Sequence, residues 1–327
     1  MNESPEPILG GTHGHAPVLL AEVLELLAPK LGETYVDLTV GRGGHACAVA
    51  QQLGPTGRVA LFDLDRGNLQ FASERLRTAT GITPVSIHAS FVSVSRELEA
   101  KGLCGPQAAN LLLADLGFAS TQVDDPSRGL SFMRDGPLDM RLDASSGITA
   151  AELIATSSER DLGEFLTRFG EEPLARRIAA NIAAQRVQTP ITTTAQLADL
   201  VRESYGSRAH ASRMHPATKT FQALRIAVND EMGALQALLD SIRRAAQRTI
   251  EGRPSWLAPH ARIAIIGFHS LEDRLVKQGF ADMRRSGLVR EVTRGAVETS
   301  EGECAANPRA RSAKLRVVMV DGPSVGA

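Results

Sequence analysis

The sequence predicts a Rossmann-like α/β sheet carrying an inserted all-helical domain, and three observations predict it. Tyr35 to His45 (Y-V-D-L-T-V-G-R-G-G-H) passes from β-branched and aromatic residues through a glycine bend into a helical stretch. Further strand-like runs at Arg58–Asp65, Val85–Ser90 and Asn110–Phe118 alternate with helical text, the pattern of strand–helix–strand units. The alternation stops at Pro126, gives way to helices, and resumes after residue 215. The expected division is a sheet domain of residues 1–125 and 216–327 around a helical insert of residues 126–215.

Composition sets bounds. The chain has 327 residues, 43% hydrophobic and 22% charged, enough for one large and one smaller globular domain. A net charge of −1 excludes a uniformly basic surface and leaves room for local basic patches. Cys47, Cys104 and Cys304 are odd in number and far apart, with no C-x-x-C pair. Neither a disulfide framework nor a metal site is expected, which fits a reducing cytoplasm. The acidic start M-N-E-S-P-E-P has no apolar run behind it, unlike a signal peptide. No apolar stretch nears the ~20 residues that span a bilayer, so no membrane partner is expected.

Taken in order, Met1 to Gly14 reads as a loose arm, and His15-Ala-Pro-Val-Leu-Leu20 enters a helix with Leu20, Val23, Leu24 and Leu27 on one face. The first strand breaks at Gly41, Gly43 and Gly44, where positive φ and a missing Cβ permit a tight turn and close ligand approach. Ala46 to Leu53 is a helix ended by Gly54-Pro55. Arg58 to Asp65 is the second strand, followed by a helix from Gly67 to Thr78; Val85 to Ser90 is the third, followed by a short helix from Val92 to Lys101. Asn110 to Phe118 is continuously apolar, as a strand covered on both faces should be. Pro126 to Asp143 has neither period, yet its Leu130, Phe132, Met133, Leu138 and Met140 argue for a packed loop. Capping boxes at Thr149–Glu152 and Thr193–Gln196 open helices, with others at Asp161–Phe169 and Leu174–Gln185. A long helix from Thr218 to Gln247, a fifth strand from Arg262 to Phe268, a helix capped by Ser270 and a terminal strand from Lys314 to Val320 complete the sheet domain.

Ligands of open α/β sheets lie at the carboxyl ends of the strands, and three strands end in acids: Asp37, Asp63 and Asp115. Gly41 to Ala46 matches the dinucleotide fingerprint G-x-G-x-x-A, a weak match by itself. Asp37 discriminates, because a carboxylate there would repel a pyrophosphate and attract a cation such as the sulfonium of S-adenosylmethionine (SAM). The alternative is an acid bonded to loop N–H groups. Asp63, twenty residues after Gly43, suits the hydroxyls of an adenosine ribose, the alternative being a helix cap. Phe91 either flanks an adenine or packs in the core. No cysteine sits in a strand-end loop, which disfavours carbon methylation of a pyrimidine. Transfer to an exocyclic amine needs an acceptor that localises the nitrogen lone pair; Asp115 is suitably positioned, or else holds the methionine amine of the donor. Arg168 to Arg225 carries nine basic residues against four acids, and Arg284 to Arg316 eight against four. Solvated faces are the simpler reading, but Arg309 and Arg311 in the Asn307–Ser312 run would be natural phosphate contacts.

The motifs His15-A-P-V-L-L20, Gly41-R-G-G-H45, Asp115-L-G, Arg128-G-L-S-F-M-R-D-G-P-L-D-M-R141, His215-P-A-T-K-T-F-Q-A-L-R225, Phe268-H-S-L-E-D-R274 and Asn307-P-R-A-R-S312 resemble, in order, those of the bacterial 16S rRNA cytosine-N4 methyltransferase family, RsmH or MraW. The resemblance spans about His15 to Val320. It implies a class I SAM-dependent fold whose helical insert recognises substrate, and N4-methylation of one cytidine in the decoding region of small-subunit rRNA, in the cytoplasm. The implied partner is that RNA or the assembling small subunit; oligomeric state stays open, a homodimer included. Carried over residue by residue, SAM contacts fall on Gly43, Gly44, His45, Asp63, Phe91, Asp115 and Gln122. Asp115, Asp139 and His269 are the candidate catalytic residues, with Arg141 on the substrate base and Arg309 on phosphate. Two departures stand out: Phe118-A-S-T-Q122 where the family usually has V-S-S-P-Q, and Leu38-T-V-G41 where it has G-T-F-G. Neither removes a polar group from the cofactor site. The rival readings are another amino-directed nucleic-acid methyltransferase, a non-catalytic assembly factor with a relic pocket, and an NAD-dependent oxidoreductase, against which Asp37 argues.

Overall fold

A computed structural model describes residues 17–118, 120–211 and 215–322. The Met1–Gly14 arm, His15 and Ala16 of the first motif, Ala119 and Arg213 lie outside the described residues. The sheet comprises β1 (Thr34–Asp37), β2 (Arg58–Asp63), β3 (Val85–His88), β4 (Ala109–Asp115), β5 (Leu257–Gly267), β6 (Val289–Glu291), β7 (Val297–Glu298) and β8 (Lys314–Val320). Its order is β3-β2-β1-β4-β5-β8-β6, with β7 also on β8. The first five strands pair in parallel and β8 runs antiparallel between β5 and β6. The order reverses beside β1, which makes the carboxyl ends of β1 and β4 the crevice of the fold.

Helices α1 (Leu20–Leu27), α2 (Gly44–Leu53) and α3 (Arg66–Thr80) cover one face. Helices α4 (Val94–Ala100), α11 (Glu231–Ile250) and α12 (Ser270–Arg285) cover the other. Because successive strand side chains point to opposite faces, Tyr35 and Leu111 join the first core and Val36 and Leu112 the second. A third core lies in the helical segment, built by α6 (Ala150–Thr156), α7 (Glu159–Gly170), α8 (Ala175–Gln188), α9 (Thr194–Tyr205) and α10 (Ala217–Asn229). It takes in Leu138 and Met140 of the long loop, so that loop is packed. It also takes in Ala217, Phe221 and Leu224, which lie beyond the expected boundary at residue 215. The remaining short helices are α5 (Ser120–Asp124) and α13 (Glu301–Ala306). Among the described residues, no helix is long and apolar enough to cross a membrane.

Three expectations are corrected. The single helix from Thr218 to Gln247 is two, α10 and α11, because Asp230 is left-handed (φ 47°); the bend lets Arg225 Nε meet Glu231 Oε1 at 2.7 Å across it. The fifth strand starts earlier, at Leu257, and reaches Arg262 through a register shift against β4. Helix α12 is capped by His269, not Ser270: His269 Nδ1 accepts from Glu272 N at 3.3 Å, and the Glu272 carboxylate accepts from His269 N.

Candidate active site

A cleft of about 270 Å³ opens at the carboxyl ends of β1, β2 and β4. Its lining includes Thr39, Leu64, Leu116 and Gly117, each just past one of the three strand-end acids. The insert loop supplies Arg141, Leu142 and Asp143, and the α10–α11 bend supplies Asn229 and Glu231. Phe91 both lines the cleft and packs against the second core, so its two readings stand side by side. The acids themselves are not among its lining residues, and the Asp115 side chain is 26% exposed; they repel one another, the charge of Asp63 raising the pKa of Asp37 and that of Asp37 raising the pKa of Asp115.

Each acid has a distinct setting. Asp37 is 2% exposed; it accepts from Tyr35 Oη at 2.8 Å and from Thr39 N at 3.1 Å, so the loop-bonded reading describes its contacts. Burial pushes its carboxyl up to about 7. Asp63 accepts from Gly41 N and Asp65 N, both at 2.8 Å, which ties the glycine bend to the end of β2. The helix cap that was its alternative role belongs to Asp65, which accepts from Gly67 N and Asn68 N. Asp115 Oδ1 is buried without a partner. Burial first, then the charges of Asp37 and Glu272, raise its pKa well above the usual carboxylate range.

Gly43 (φ 75°) gives its left-handed cap to α2, and its missing Cβ would stand 3.0 Å from Ala72 Cβ. Gly44 packs where a Cβ would meet Pro17 Cγ at 2.3 Å. His45 Nε2 lies 2.9 Å from Val18 O, so that nitrogen carries the proton. Its Nδ1 faces Asp115 Oδ2 at 3.7 Å. This is not an ion pair, because burial lowers the His45 pKa to about 4 and leaves the ring neutral. The neutral imidazole therefore turns its Nδ1 lone pair toward a carboxyl group that burial also drives toward its neutral form, at a distance beyond a direct hydrogen bond. Gln122 is buried on α5, the helix that follows the Asp115-Leu-Gly turn.

The expected substrate residues separate into two groups. Asp139 and Arg141 pair with each other in a two-bond fork, Nε–Oδ1 and Nη2–Oδ2 both 2.8 Å, which holds the Asp139 carboxyl below its usual range. His269 instead packs with Glu272 and Glu231. Its Nδ1 lone pair is committed to the α12 cap, and Glu272, not His269, reaches the cleft wall. Arg309 lies on the surface, donating to Asp124 Oδ1 at 2.8 Å.

Sequence reasoning passed over Glu272, Glu231, Arg225 and Asn229. Glu272 is 2% exposed, and its Oε2 accepts from Phe268 N at 2.7 Å. Burial opposes its charge, but His269, Arg225 and Phe268 N outweigh burial and lower its pKa. Arg225 spans from Glu231 to the Phe118 ring, 4.7 Å from its centroid. Asn229 accepts from Leu142 N and donates to Met140 O, fastening the insert loop at the cleft mouth. The signal for Glu272 was present in Phe268-H-S-L-E-D-R274, where a carboxylate three residues past a potential cap makes a box.

A parallel sheet with one antiparallel strand near its edge, a glycine bend after β1 and acids at the strand ends define a class I SAM-dependent methyltransferase fold with an inserted all-helical domain. A sequence model of the MraW methylase family matches residues 12–320, and the chain belongs to that family. It is similar to the proteins called ribosomal RNA small subunit methyltransferase H of Citrifermentans bemidjiense (41% identical over 319 residues, 93% of this chain and 97% of that protein) and Trichlorobacter lovleyi (42% over 317 residues, 92% and 96%). Among solved structures, an rRNA methylase from Streptococcus thermophilus aligns over 92% of this chain and 95% of its own, at 10% identity and a TM-score of 0.39, too distant to add to the sheet order.

Proposed function

We propose that this chain transfers a methyl group from SAM to the N4 amino group of a cytidine in the decoding region of small-subunit rRNA, in the cytoplasm. Support comes from family membership, from relatives named for small-subunit rRNA methylation, and from the cleft. The observation that carries it is the partnerless, buried Asp115 Oδ1 beside a floor of strand ends. A buried carboxyl oxygen left unpaired is costly, so the site is built to receive an N–H donor. Either the amine of the methionine moiety or the amine of the target base would satisfy it and bring the Asp115 pKa back down.

The residues present fit the donor. Asp63 accepts from two backbone N–H groups and interacts with the Asn68 side chain, and a carboxylate with about four lone-pair sites still has capacity for a ribose hydroxyl. Phe91 offers its ring for the adenine, Gly43 and Gly44 keep the bend free of side chains, and His45 and Gln122 flank Asp115. When bound, SAM supplies an electrophilic methyl carbon on a cationic sulfur. The chain's part is alignment: with little bond-making to assist, positioning the amine in line with the methyl is the main lever. Arg141, held by Asp139, faces the base; His269 positions Glu272 on the cleft wall; Arg309 contacts phosphate. An exocyclic amine is a poor nucleophile until an acceptor takes its N–H, the role given to Asp115 if the donor's amine is held elsewhere. The target base leaves its stack to reach the cleft.

The test is to incubate the purified chain with methyl-labelled SAM and small-subunit particles from an unmethylated strain, then map the modified nucleotides by mass. The expected product is a single N4-methylcytidine, absent with Asp63→Ala. Label elsewhere in the RNA, or no binding of SAM by calorimetry, refutes the reading.

A further inference from the structure

The insert loop carries one feature that the cleft does not use. Leu130 and Phe132 pack against the helical core, yet Met133, next in line, is 80% exposed. Leu31 and Val187 are as exposed, at 78% and 83%, but neither lies in this loop. The loop closes on itself where Met140 N donates to Arg128 O and Arg128 Nη2 donates to Leu142 O, at the rim of the cleft. Gly129 lets the two arms touch, since a Cβ there would meet Pro137 O at 2.2 Å. Beyond Met133, Gly136 N donates to Thr194 Oγ1 and Pro137 bridges Thr193 on the helical segment. Phe132 stacks on His215 at 4.5 Å. The chain on either side of Met133 is thus fixed, while its side chain stands in solvent.

Arg134, the next residue, and Arg309 both reach Asp124. Arg134 Nη1 donates to Asp124 O and Arg309 Nη2 to Asp124 Oδ1. Asp124 ends α5, only five residues long, whose other end follows the cleft residues Leu116 and Gly117. The end of α5 and the segment that carries Met133 therefore meet through Arg134, with Arg309 on the same Asp124. An apolar side chain set among arginines suits a nucleic acid, which offers stacked bases between two phosphate rails.

Resting on the functional reading above, we infer that Met133 is a positioning wedge that enters the RNA stack in the space left by the extruded base, with Arg134 and Arg309 on the flanking phosphates. Proteins that kink or open a stack insert such side chains, Met among them. The wedge holds the base out without touching it.

The test places a fluorescent adenine analogue beside the target cytidine in a folded small-subunit RNA hairpin and follows unstacking and methylation together. Wild type is expected to brighten the probe and methylate. Met133→Ala, an exposed substitution that leaves thermal unfolding unchanged, is expected to lose the brightening. It should also lower kcat/KM on the hairpin by roughly tenfold or more, with near-wild-type rates on an unstructured oligonucleotide. Met133→Leu is expected to restore both signals. Unchanged brightening and rate with Met133→Ala overturn the wedge. Loss confined to assembled particles, with the naked hairpin unaffected, overturns it in favour of a ribosomal-protein contact. No methylation by the wild type of either the hairpin or small-subunit particles overturns the functional reading and the wedge with it.

Discussion

Asp37 should cost the folded protein stability that Asp37→Asn returns. In the fold its carboxyl is buried and ionises near 7, against 3.8 for an ordinary carboxyl. An acid whose folded pKa is raised loses folding stability as pH climbs from its unfolded pKa to its folded one. At about 1.4 kcal/mol for each pH unit between the two, the cost is about 2 kcal/mol near pH 5 and levels off at about 4 kcal/mol above pH 7. Asn keeps both contacts, its carbonyl accepting from Thr39 N and its amide donating to the Tyr35 hydroxyl. Urea unfolding of the two proteins, extrapolated linearly at several pH values, should therefore show a gain for Asp37→Asn that is absent near pH 4 and grows to a plateau above neutrality. A gain of the same size at every pH, or a loss above neutrality, would refute the assignment of burial as the dominant effect.

Gly129→Ala, at φ 63° with its Cβ aimed at Pro137 O, should lower stability by roughly 1–3 kcal/mol and speed proteolysis within the insert loop. Gly147→Ala, at φ 77° with nothing within 4 Å, should cost only about 1 kcal/mol in the same unfolding assay. Arg225→Met strands the Glu231 carboxylate, 11% exposed, and should cost about 3–5 kcal/mol, largely recovered in the double variant Arg225→Met, Glu231→Gln. Arg141→Lys breaks the fork to Asp139 at a pair about one-fifth exposed. Thermal unfolding should barely change, while steady-state methylation falls because a point charge cannot reproduce the fork.

Several elements were legible because their causes lie within a few residues. The glycine bend needs the positive φ of Gly41 and Gly43, and both glycines have it. Both capping boxes, at Thr149 and Thr193, formed as read, since a cap depends only on a hydroxyl and a carboxamide or carboxylate three residues on. The strand-end acids were found by the same logic, each closing an apolar run. The α10–α11 bend was not legible. Periodicity runs through Asp230 without interruption; the break is its left-handed backbone, and the contacts that accompany it, Arg225 with Glu231 across the bend and Asn229 with a loop 87 residues earlier, leave no mark on the helical period. Likewise, Ser270 has the capping chemistry that the sequence points to, and His269 takes its place in a box with the buried Glu272.

The sequence by itself determined six strands of the sheet, β1 to β5 and β8, the bend after β1, the presence of an insert and the acidic strand ends, because hydrophobic period and backbone chemistry act locally; β6 and β7 were not read from it. The tertiary structure alone decided which acids are satisfied and which is not. Asp37 and Asp63 find backbone or hydroxyl donors, whereas Asp115 Oδ1 finds none. Residues that look alike as strand-end carboxylates become different groups once the packing of β1, β2 and β4 sets how much water and how many donors each one keeps.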